Sequence, residues 1–350
     1  MLSSFPSLPS HPKAIIPPFS LNCDNVRDVH NHPFTAKTFA NSALIGDLNF
    51  MKLLRRDGCP WDESTCSSAA EGGHLDVLKW ARTNGCPWNK STCDSAAKGG
   101  HLDVLQWARK NGCPWSQYTC HSAAMNGHLE VLKWLRMNDC PWDHYTCSTA
   151  AQGGYLDVLK WSHSEGCPWD KSCCEAAASK GQLEALRWLR ENGCPWDQYT
   201  CESAGMNGYL DVLKWARENG CPWDESTCSS AASAGHLDVL QWARGNGCPW
   251  DQETSSSACT QGHLELLKWA IDNGCPWNYT LAAGASLVGH LEVLKWATDN
   301  GCLLDSDIFM HARIGGYPHI ISWLRENGCP EDDDGDEDDD DNEQEDDYDY

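Results

Sequence analysis

The chain has 350 residues, with 50 acids against 26 bases for a formal net charge of −24, and it carries 19 tryptophans and 21 cysteines. This balance, with no basic stripe, argues against a phosphate backbone as partner. No run of 18 apolar residues occurs, so no spanning helix is expected and the chain is predicted to be soluble.

Residues 1–31 hold Pro6, Pro9, Pro12, Pro17 and Pro18 among scattered Ser and His, which predicts a flexible Pro-rich N-terminal segment. It lacks the charged start and continuous apolar run of a signal peptide, and it lacks the Arg-rich pattern of a mitochondrial leader. From His32 a 27-residue unit takes over. Units start at 32, 59, 86, 113, 140, 167, 194, 221, 248, 275 and 302, with no insertion or deletion. His32 through Gly328 is thus eleven units, which predicts a solenoid of stacked supersecondary units.

Within the unit that starts at Cys59, Asp62 reads as a helix N-cap. A first helix over about 64–71 places Cys66, Ala69 and Ala70 on one face of small residues. Gly73 closes it, and a glycine holds this place in all eleven units, from Gly46 to Gly316. A second helix over about 74–84 presents Leu75, Val77, Leu78, Trp80 and Ala81 on one side, with Gly85 and Pro87 as stop signals. Each unit is a helical hairpin, and no alternating strand pattern appears. The fold class is therefore all-α, a solenoid of 11 stacked helix-turn-helix repeats. Nine tryptophans follow Cys-Pro and ten sit late in second helices, a recurrence that predicts inter-repeat core.

The end units are atypical, as solenoid caps should be. In the first, Leu53 replaces the second-helix Trp; in the last, Leu303-Leu304 replaces Pro-Trp and Pro318 enters the first turn of the second helix, where proline is tolerated. Residues 331–350 carry 15 acids and no base, which predicts a disordered acidic tail and leaves about −9 on the rest. The expected division is 1–31, a 32–330 solenoid and the 331–350 tail.

The cysteines invite a metal reading. Eleven stand at the 27-residue step, and seven lie in first helices, from Cys66 to Cys228. Zinc sites show paired ligands two to four residues apart, whereas the spacing within a unit is seven, so no metal or other cofactor is expected. Reduced thiols acting as small hydrophobes fit better, and with no secretion signal they predict an intracellular chain, cytoplasmic or nuclear. His74, His101, His128, His236, His263 and His290 interchange with Tyr155, Gln182 and Tyr209, which predicts a hydrogen bond at the turn rather than a ligand. Asn89-Lys-Ser and Asn278-Tyr-Thr match the glycosylation pattern but stand at the N-cap place. No phosphate loop, nucleophile elbow or His-Glu-x-x-His is present, and the chain is predicted not to be an enzyme.

The stretch AAEGGHLDVLKWARTNGCPWN resembles an ankyrin repeat through Ala69-Ala70, Gly73-His74, Leu75, Val77-Leu78 and Gly85, with Cys86 in the place of the consensus alanine. The likeness spans about 32–330. Ankyrin units are ~33 residues long, so these lack the six residues of the usual β-hairpin finger. The resemblance implies a protein-protein interaction scaffold that reads a protein partner on its concave face; the acidic balance and the lack of an apolar span predict no nucleic acid and no membrane, and the chain is expected to be a monomer.

Inside a strict repeat, the positions that vary are those the core does not dictate. Tyr118, His121, Met125, His144, Tyr145, Tyr199 and Met206 fall at such positions on first helices, gathered in units three to seven. Tyr and Met suit contact surfaces, so these seven are the candidate partner-binding residues. The alternative places binding in the acidic tail, which would capture basic, histone-like proteins with the solenoid as carrier.

Overall fold

The computed structural model describes residues 34–278 and 280–331. Residues 1–33 and 332–350, with the N-terminal segment and nearly all of the acidic tail, lie outside the described residues. Among the described residues there are 22 α-helices and no strand. They run as eleven pairs, from α1 (Ala36–Ile45) and α2 (Leu48–Arg56) to α21 (Ser306–Gly315) and α22 (Pro318–Glu326).

Local chemistry sets each hairpin. Asp62 is extended (φ −141°) and its Oδ1 accepts from Ser64 N at 2.9 Å, which starts the helix Glu63–Glu71. Asn89, Asp143, Asp197, Asp224 and Asp251 cap in the same way, whereas Ser116 uses a capping box with Thr119. At the end of the second helix Leu75–Thr83, Asn84 Nδ2 donates to Trp80 O at 2.8 Å. Gly85 then turns the chain at φ +82°.

Side-chain size decides the stacking. Cys66, Ala69 and Ala70 are fully buried and let first helices pack directly on one another along the array. The second helices pack mainly on their own first helix and less on one another, with Leu75 and Trp80 partly buried against the core. The first helices therefore form the more tightly packed side.

The seam between units is closed by a ring over a glycine. Gly73 sits at φ +75°, and a methyl group added there would lie 2.6 Å from the His101 ring. His101 Nε2 donates to Glu71 O at 2.9 Å, and His128 repeats this with Lys98 O, also at 2.9 Å. The histidine bond is thus made to the preceding unit, not within its own turn. Tyr155 lies over Gly127, Gln182 over Gly154 and Tyr209 over Gly181 in the same way, so the place requires a flat polar side chain rather than imidazole itself.

The tryptophans depart from the core expectation. They are half-buried and pack on the core from outside. Trp115 and Trp134 meet edge to face at 5.8 Å, and Arg136 lies 4.2 Å over Trp142 of the next unit while donating to Cys140 O. Arginine capping recurs over Trp61, Trp88, Trp115, Trp196, Trp223 and Trp250, and His163 stacks on Trp169 at 3.8 Å instead. An indole too large for the gap between layers is finished by a cation over its exposed face.

The twenty described cysteines are free and buried. Cys86 Sγ donates to Asp62 O at 3.4 Å and Cys113 Sγ to Asn89 O at 3.3 Å, so the thiols of the 27-residue step tie each unit to the N-cap of the one before. A hydrogen bond to Cys86, followed by burial, holds the Cys66 thiol well above the ordinary range.

The exposed face of the first helices

Five of the seven candidate residues are exposed on first helices: Tyr118 at 54%, Tyr145 at 54%, Tyr199 at 46%, Met125 at 47% and Met206 at 55%. Each follows from its place in a hairpin whose opposite face is the Cys-Ala-Ala stripe. The tyrosines stand two residues after the N-cap, and the methionines close the helix.

His121 is corrected. It is buried to 9% exposure, and its Nε2 lies 2.6 Å from Asp143 Oδ1 of the next unit. Its ring lies between two tyrosines, at 5.4 Å from Tyr118 and 5.8 Å from Tyr145. His144 packs on Tyr145 at 4.1 Å. Tyr118, His121, His144 and Tyr145 thus form one cluster across the fourth and fifth units, positioned by a buried imidazole. Tyr199 and Met206 lie apart from it, two units farther on.

Lysines of neighbouring units already use this face. Lys171 Nζ donates to Asp197 Oδ2 at 2.6 Å and lies 5.4 Å over the Tyr199 ring. Lys90 Nζ lies 5.6 Å over Tyr118. Among the described residues no group of three or more His, Cys, Asp or Glu could hold a metal ion, and no helix is long and apolar enough to cross a membrane.

The family model for ankyrin repeats (many copies) matches residues 93–136, from the first helix of the third unit through the second helix of the fourth. This stretch of the array is similar to ankyrin repeats. Among solved structures, the ankyrin repeat domain of human ASB11 is similar at 18% identity, over 45% of this chain and 84% of that one, with a TM-score of 0.38. The comparison with curated proteins gives no match.

The array also presents a second row on the same helices. Three residues after each of these tyrosine places, the first helices carry Ser67, Asp94, His121, Ser148, Glu175 and Glu202. Asp94 accepts from Thr119 Oγ1 at 2.5 Å, and burial raises its carboxyl above the usual range. Glu175 is raised too, first by burial and then by Asp197 and Glu202 facing it, while Glu202 accepts from Ser230 at 3.2 Å. Variation between copies, the signal that picked out the tyrosines, also marks these carboxylates.

Proposed function

We propose that this ankyrin array is a protein-interaction scaffold whose partner lies on the exposed first-helix side of units four to seven. One observation carries the reading: Tyr118, Tyr145 and Tyr199, with Met125 and Met206, stand about half exposed where other units carry Ser, Glu or Lys. Aromatic and Met side chains are the enriched anchors of protein interfaces, and packed layers need nothing this large there. The tighter stacking of the first helices favours a concave surface on that side. The function is binding rather than catalysis, and the buried free cysteines suit a reducing, intracellular compartment.

The test is capture of partners from extracts of the source cells by three forms of the protein. The full chain and a chain ending at Pro330 should retain the same partner, and Tyr118→Ala/Tyr145→Ala should lose it. Loss on removing 331–350, with the tyrosine variant unaffected, would place binding in the acidic tail instead.

A further inference from the structure

The array displays, within itself, how it receives a basic side chain. In the sixth and seventh units Lys171 reaches Asp197 Oδ2 at 2.6 Å while its Nζ lies 5.4 Å over Tyr199, and Asp197 Oδ1 caps the helix through Tyr199 N at 3.2 Å. The same acceptor recurs two units earlier. Asp143 Oδ1 caps the helix through Tyr145 N at 3.0 Å and also meets His121 Nε2 at 2.6 Å. Its Oδ2, the counterpart of the oxygen that Lys171 reaches, has no protein donor among the described residues. The place that Lys171 holds in its unit is held in the fourth unit by Gln117. The opening shows in the exposures: the Asp143 side chain is 35% exposed, against 20% for Asp197 beneath its lysine.

We propose that Asp143 and Tyr145 form a subsite for a lysine side chain of the protein partner, with Asp143 Oδ2 accepting from the ammonium and the Tyr145 ring lying beneath it. The inference rests on the first-helix side being the binding face and names the chemistry it reads there. The surroundings favour a cation. His121, Tyr118 and His144 orient the acceptor pair, and the half-buried row of Asp94, Glu175 and Glu202 lies along the same helices. An ammonium between a carboxylate and an aromatic face gains from both.

The probe is the acetylated and amidated decapeptide (Gly-Lys)5, titrated into the full chain while tyrosine ring resonances are followed by NMR. A control peptide carries Nε-acetyl-lysine, which keeps the length and removes the charge. The expected result is a saturable shift of Tyr145 with the lysine peptide only. Gln117→Lys fills the subsite from within and should weaken that shift about fivefold. Lys171→Gln opens the second pair and should give Tyr199 a shift that the parent protein lacks. Both variants keep residues 331–350, so any attraction of peptide to the tail cancels. An unmoved Tyr145, an equal response to the acetylated peptide, or unchanged affinity in Gln117→Lys would each overturn the subsite. Partner capture that still needs Tyr118 and Tyr145 would then leave the binding face standing, whereas a lysine-responsive Tyr145 beside tyrosine-independent capture would overturn the face and keep the subsite.

Discussion

Replacing Gly100 with alanine probes the seam between units most sharply. Gly100 sits at φ +74°, where a side chain costs roughly 1–2 kcal/mol in backbone strain. Its new methyl would also lie 2.6 Å from His128 Nδ1. The ring must move, and with it goes the 2.9 Å bond from His128 Nε2 to Lys98 O, a further loss of about 0.5–1.5 kcal/mol. The expected total is about 2–3 kcal/mol. Gly112 is the control, since its φ is +83° but nothing lies within 4 Å of an added methyl. Gly112→Ala should therefore cost only the backbone share. The assay is denaturant unfolding followed by far-UV circular dichroism, fitted with nearest-neighbour coupling because arrays need not unfold in one step. His128→Ala in the Gly100→Ala background should be less than additive, as the ring that clashes is gone. Equal losses for Gly100→Ala and Gly112→Ala would refute the ring-over-glycine account.

Asp139 is the only described non-glycine residue at positive φ (59°), where other units place glycine, so Asp139→Gly should stabilise by about 0.5–1 kcal/mol in the same assay. Trp134→Ala should cost about 2–3 kcal/mol, below a fully buried tryptophan, because the indole is half-exposed against Trp115; Tyr118→Ala should stay within about 0.5 kcal/mol. Burial raises the thiols of Cys275 to about 11 and Cys259 to about 12, against 9.0 ordinarily. Below pH 9 both stay protonated folded or unfolded and their contribution is complete; as pH rises from 9 toward 12 the unfolded chain ionises first. Stability should therefore fall across that window, and a denaturation midpoint unchanged between pH 8 and pH 10.5 would contradict this. In native protein at pH 8 the described cysteines should resist alkylation that completes once the chain is unfolded.

Most of the fold was legible because a strict repeat states its core many times over. The N-cap at Asp62, the left-handed glycine at Gly73 and the small stripe of Cys66, Ala69 and Ala70 each follow from one residue's chemistry, and each stands where expected. What escaped depends on the neighbouring unit. The His101 bond to Glu71 O spans 30 residues, and recurrence every 27 residues cannot say whether a side chain serves its own turn or the previous one. The indoles were placed too deep because recurrence marks a packed position, not a fully covered one, and the arginine over Trp142, like those over six other Cys-Pro-Trp rings, comes from the preceding unit. At the candidate site the exposed tyrosines and methionines were readable from variation between copies. His121 was not, since its contacts with Asp143 and Tyr145 are made across the seam.

Amide hydrogen exchange on the isolated complex with a captured partner tests the binding face most directly. The account predicts slowed exchange, relative to the free chain, at 117–125, 144–152 and 198–206, on the first helices that carry the tyrosines and methionines. Slowed exchange confined to the second helices or to 331–350 would contradict it.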